Sequence, residues 1–152
     1  MLNHAPVLGT AFGLGLLAFG IWRQSNELKK VALGVFVIAA LIAIPAYLTG
    51  EPAEEVVESL PGVSETIIEQ HEQAAVIAFS GIVALGVIAL AGLFLLRRGK
   101  PVPAWFGSIM LVSSLLVSAF MAWTANVGGQ IRHTEIRSGA SPAASTKEKG
   151  HE

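Results

Sequence analysis

Residues 31–48 read VALGVFVIAALIAIPAYL, eighteen positions without one Asp, Glu, Lys or Arg. Crossing a hydrocarbon core of about 30 Å takes roughly 20 apolar helical residues. In lipid such a run must be helical, because an isolated strand or loop leaves its backbone polar groups unsatisfied. Three more stretches read the same way, at about residues 6–22, 74–96 and 105–127, again free of charge. The expected fold is therefore all-α, a four-helix transmembrane bundle.

The first stretch is also the place for a signal peptide. Met1 to Asn3 supply no basic side chain, however, and no small-x-small site follows Trp22, so it reads as a retained first helix. Composition agrees with this reading. Of 152 residues, 53% are hydrophobic and 14% charged, against about 25% charged in ordinary globular domains, and the mean hydropathy is +0.62. A net charge of −1 offers no basic field for nucleic acid. The absence of Cys removes disulfides, thiolate metal sites and thiol nucleophiles. All eleven acidic residues are Glu.

Lys and Arg mark the cytoplasmic loops of membrane proteins. The connection from Arg23 to Lys30 carries Arg23, Lys29 and Lys30, and the third connection carries Arg97, Arg98 and Lys100. The second, Gly50 to Gln73, has seven Glu and no Lys or Arg. Both basic connections are therefore expected in the cytoplasm of a bacterial cell, with both termini and the acidic connection outside the inner membrane. Trp22 and Trp105 suit the inner interface, Tyr47 and Trp123 the outer one.

The acidic connection reads as a short helical hairpin. Pro52 suits the first turn of a helix over Ala53 to Leu60, and Leu60-Pro61-Gly62 turns the chain. Ser64 is placed to cap a helix that runs through Gln73 into the third span. Its outer part sets Ile67, Ile68, His71, Ala74 and Ala75 on one face and Glu65, Glu69 and Glu72 on another. Pro45 is expected to kink the second span. Residues 1–137 form the membrane domain, and the Ser-, Ala- and charge-rich tail 138–152 reads as disordered.

Small residues cluster inside the spans: Gly9, Gly13, Gly15 and Gly20; Gly81, Gly86 and Gly92; Ser113, Ser114 and Ser118. They suit close helix–helix approach, or a groove for a flat cofactor. No phosphate loop, zinc-protease pattern or Ser/His/Asp arrangement is present, and no ionisable residue lies within a span to mark an ion path.

The candidate chemistry lies with histidine. His4 precedes the first span, His71 the third, and His133 follows the fourth by about a turn; His151 sits in the tail. Although 67 and 62 residues separate the first three, the topology brings them all to the outer face. Neutral imidazole ligates haem iron, copper and zinc. His71 with His133 is the preferred haem pair, each on a helix continuing from its span. Gly128 and Gly129 leave bare backbone one turn below His133, with room for a porphyrin edge or a neighbouring helix, and Glu72 is placed to orient an imidazole. His4 is the alternative, or the third ligand of a bare copper or zinc ion. A structural reading stands beside these, in which Asn126, Gln130, Arg132 and Glu135 hydrogen-bond the rings.

Four features together resemble a bacterial family of small membrane proteins known as domain of unknown function 2231. They are His4-Ala-Pro6 opening the first span, Leu48-Thr49-Gly50 closing the second, His71-Glu72 opening the third, and Gly128-Gly129-Gln-Ile-Arg-His133 after the fourth. They extend over about residues 4–137. The resemblance implies a four-helix inner-membrane protein that accompanies respiratory or Rieske-type components, with electron transfer through haem b. The carry-over covers His4, His71 and His133 by position and Gly128 and Gly129 by motif. The family often opens with His-Pro and a second His a turn later, where this chain has only His4, which speaks against a two-centre site.

The expected function is thus a haem b-binding electron-transfer subunit, rather than a stand-alone enzyme, meeting a respiratory-chain or cytochrome partner at the outer face. Two alternatives stand: a cofactor-free interaction or assembly protein using its acidic outer hairpin, and a bare copper or zinc site on three histidines.

Overall fold

The computed structural model describes residues 4–49, 65–97 and 99–132. The expected helix at 53–60, the Ser64 cap, His133 and the tail lie outside the described residues. Those described form four helices: α1 (His4–Trp22), α2 (Asn26–Leu48), α3 (Glu65–Leu95) and α4 (Ala104–Arg132). No strand occurs among them. All four are long and apolar enough to cross a membrane, α3 over Ile68–Leu95 and α4 over Ala104–Gly129.

The helices pack as a ring in chain order, α1 on α2, α2 on α3, α3 on α4, with α4 closing onto α1. Contacts between neighbours run antiparallel. Gly9 meets Ala39, Gly13 meets Phe36 and Gly20 meets Leu28 along the first pair. Along the third pair Gly81 meets Val117 and Gly92 meets Phe106. The small residues of the spans are thus mostly helix–helix contacts, where backbones approach because no Cβ intervenes. A methyl placed on Gly13 or Gly92 would lie 2.6 or 2.5 Å from the facing Phe ring.

Each helix buries a stripe at three- and four-residue spacing, as a helix facing one core must. On α1 this is Pro6, Thr10, Gly13, Leu17 and Gly20. Leu17, Leu33, Phe36, Leu85 and Met110 make a bulky core toward the α1–α2 turn. Toward the other end the core is alanine-rich, with Ala39, Ala40, Ala43 and Ala78 around Ile82 and Met121. The hydroxyls between them bond mostly within their own helix, Thr10 Oγ1 donating to Pro6 O at 2.7 Å and Ser114 Oγ to Leu111 O at 3.0 Å. The buried Ser118 Oγ has no partner among the described residues. The outer surface of the ring is apolar as well: Phe12 is 64% exposed, Leu41 60% and Val87 61%. In water each such side chain forgoes about 1.5–3 kcal/mol of burial, which accords with helices apolar enough to span a membrane.

The helix ends extend beyond the apolar runs. α2 starts at Asn26 rather than near Val31, capped by Ser25, whose Oγ accepts from Leu28 N at 3.3 Å. Lys29 and Lys30 therefore lie in the first turns of α2, and the α1–α2 connection shrinks to Arg23, Gln24 and Ser25. Gln24 adopts φ 53° to make that turn. Pro45 sits inside α2, which continues to Leu48; the Pro45 carbonyl accepts both the backbone N–H of Thr49 and its hydroxyl. α4 passes through Gly128 and Gly129 to Arg132 instead of stopping near Val127. The α1–α2 and α3–α4 connections share one end of the ring, where the Asn26 side chain accepts the Val102 N–H at 3.1 Å.

Candidate functional site

The opposite end of the ring gathers the start of α1, the end of α2, the start of α3 and the end of α4. His71 lies about two turns into α3. Its helix face is set by its neighbours: Ile68 is 4% exposed and Ala74 1%, whereas Glu69 and Glu72 are exposed. The imidazole is half-buried and turned toward α4.

There it meets Gly128. A Cβ on that glycine would stand 2.9 Å from the His71 Cε1 and 3.2 Å from Nδ1. Carbon contacts settle near 3.5–4.0 Å, so only glycine lets the ring rest on the α4 backbone. One turn earlier in α4, the carbonyl oxygen of Thr124 stands 3.2 Å from His71 Nδ1. A carbonyl oxygen only accepts, so the nitrogen facing it carries the proton and donates. Neutral imidazole has one N–H, which leaves Nε2 with its lone pair. The hydrogen bond that the ring makes to a described residue is this one, at Nδ1.

The expected site residues fare differently. His71 faces the bundle as its apolar neighbours indicate. The bare backbone at Gly128, expected to leave room for a porphyrin edge or a neighbouring helix, takes the His71 ring of α3. At Gly129 an added Cβ would meet no described residue within 4 Å. Glu72 is exposed, and the acceptor at the His71 ring is Thr124 O. His4 is the exposed first residue of α1. His133 lies outside the described residues, so the preferred pair and the three-histidine set are each described only in part. Among the described residues no group of three or more His, Asp or Glu is gathered to hold a metal ion.

Thr124 did not stand out in the sequence, because a main-chain carbonyl has no residue signature; only its spacing of one turn from Gly128 hints at it. A groove of ≈ 290 Å³ lies between α3 and α4, lined by Ile77, Gly81, Ala84, Ile88, Ser113 and Leu116 among others. None of its lining residues is titratable, so it offers no imidazole to haem iron. No family model, curated protein or solved structure matches the chain.

Proposed function

We propose that this chain is a multi-pass protein of the bacterial inner membrane whose working group is the imidazole of His71. In this reading the end carrying Arg23, Lys29, Lys30, Arg97 and Lys100 faces the cytoplasm, and His71, both termini and the acidic hairpin face outside. His71 would hold the iron of a haem b through Nε2, with His133 as the other protein ligand, and the haem would supply one-electron transfer to a respiratory or cytochrome partner.

The observation that carries this reading is the 3.2 Å approach of His71 Nδ1 to the Thr124 carbonyl oxygen, which calls for a proton on Nδ1. Histidine ligands of metals commonly spend their second nitrogen in this way, which fixes the ring and raises its basicity. The residues present fit a haem on one side: one imidazole is oriented with Nε2 unpartnered among the described residues, and no described residue lies within 4 Å of a Cβ placed on Gly129. Haem b supplies one-electron chemistry at a potential tuned by its axial ligands and burial. The chain's own part is to fix the His71 ring plane, hold its Nδ1 proton and keep water from the buried side. Membership of the family that the four sequence features resemble belongs to the same proposal.

A second reading is favoured by the ring's seat on Gly128, which makes His71 a helix–helix contact in its own right. The protein is then a cofactor-free assembly factor, with exposed Glu69 and Glu72 as part of an acidic surface for a basic partner. The visible spectrum of detergent-purified protein decides. A Soret band lost in His71→Ala and in His133→Ala is the result expected for haem. Colourless protein with stoichiometric copper or zinc points to a bare-metal site on the histidines. Colourless, metal-free protein overturns the proposal and leaves the assembly reading.

A further inference from the structure

We infer that Gly128 and the Thr124 carbonyl are positioning elements that lock His71 as its Nδ1–H tautomer and present Nε2 as a neutral donor to a late transition-metal ion, haem iron included. This rests on the reading of His71 as a ligand, but its test is made on protein without haem.

The two contacts act together. The Thr124 carbonyl fixes which nitrogen is protonated, since an acceptor opposite Nδ1 stabilises only the form with hydrogen there. The missing side chain at Gly128 fixes where the ring lies, because a methyl at that position would come within 2.9 Å of Cε1 and 3.2 Å of Nδ1. Both are main-chain features of one helical turn of α4, and they grip one face and one edge of the ring. The free Nε2 selects metals by chemical type. Imidazole suits zinc, copper, nickel and iron, whereas magnesium and calcium prefer oxygen.

The tautomer is read by nitrogen NMR on protein labelled with ¹⁵N-histidine in detergent micelles. The chain has four histidines, and the combined variant His4→Gln, His133→Gln, His151→Gln leaves His71 as the one to assign. The expected spectrum has a protonated, pyrrole-type Nδ1 and an unprotonated, pyridine-type Nε2. Zinc added to the otherwise native protein should move the Nε2 resonance of His71, and magnesium should not. In Gly128→Ala the ring should leave its seat, both tautomers should appear, and zinc affinity should fall about 10-fold, the low end of what losing a ligand's supporting contact costs.

An Nε2–H tautomer in the native spectrum overturns the inference. So does a zinc shift on Nδ1, or none on His71 at all. Zinc affinity and tautomer both unchanged in Gly128→Ala would overturn the role of the glycine. If that variant does not fold, the native tautomer and the native zinc response still decide. The haem reading fails separately. Protein without a Soret band but with the expected tautomer and zinc response removes haem and keeps the positioning inference, and a Soret band with an Nε2–H ring does the reverse.

Discussion

Replacing Gly13 by alanine tests whether the ring of helices is held by close contact at its glycines. The added methyl would lie 2.6 Å from Phe36 Cε1, 2.9 Å from Cδ1 and 3.2 Å from a Val35 methyl. Relief to ordinary contact near 3.5–4.0 Å requires a shift of roughly 1 Å. Phe36 cannot give it cheaply: it is 0% exposed and packs among Leu17, Leu33, Leu85 and Met110. Overpacking of this kind costs about 1–3 kcal/mol. Against it stands the gain of about 0.5–1 kcal/mol from replacing glycine inside a helix. Gly15→Ala isolates that gain, because Gly15 lies on the same helix with nothing within 4 Å of the new methyl. The difference between the two variants is then the packing penalty itself, about 1–3 kcal/mol. Equilibrium unfolding in mixed micelles of rising sodium dodecyl sulfate, followed by fluorescence of Trp22, Trp105 and Trp123, measures it. Phe36→Leu should absorb part of the penalty in the Gly13→Ala background, with a coupling of about 0.5–3 kcal/mol. Variants at 13 and 15 that unfold within ~0.5 kcal/mol of each other, the usual range of a change at an uncrowded surface site, would refute the packing argument.

Asn26→Ala leaves the N–H of Val102, a residue 4% exposed, without its acceptor and should destabilise the fold by about 1–3 kcal/mol in the same titration. Ser25→Ala removes the cap of α2 and should cost about 0.5–2 kcal/mol, with faster amide exchange confined to the first turn, Asn26 to Leu28. The chain contains no cysteine, so single introduced cysteines report sidedness cleanly. In intact bacterial spheroplasts an impermeant maleimide should label Glu69→Cys, and should label Gln24→Cys only after permeabilisation; the opposite pattern would invert the proposed topology.

The four helices were legible because charge is absent from each apolar run, and a membrane-spanning helix needs little else to declare itself. Their ends were not. Hydropathy measures the length that lipid must cover, whereas a helix continues for as long as its backbone is satisfied. Lys29 and Lys30 join α2 because Ser25 caps it upstream. Gly128 and Gly129 stay helical because α3, with His71, packs against that turn of α4. The inward setting of His71 was legible from Ile68 and Ala74, one turn to either side on the same face. Its partner was not, since a carbonyl of Thr124 is indistinguishable in sequence from any other. Gly128 did signal a close approach, but bare backbone states only that something comes near. The visitor is the imidazole of the neighbouring helix.

The two ends of the ring are fastened by different means, and the difference bears on where a ligand would act. At the basic end a three-residue turn, the bulky core around Phe36 and the Asn26–Val102 hydrogen bond hold α2 to the α3–α4 connection. At the other end the core is mostly alanine, α3 and α4 extend past the span, and the His71–Thr124 bond joins them. Alanine offers few atoms for dispersion contact, and lipid tails are as apolar as leucine, so burial adds little to helix association in the bilayer. The polar clasp and the seat on Gly128 therefore add to the packing there. Under the proposed ligation, Nδ1 makes the clasp and Nε2 has no partner among the described residues, so a metal taken at Nε2 would leave in place the contact that fixes the ring. Any affinity gained at Nε2 would then stabilise the folded arrangement in which the clasp is made, by the mass-action term that links binding to conformation.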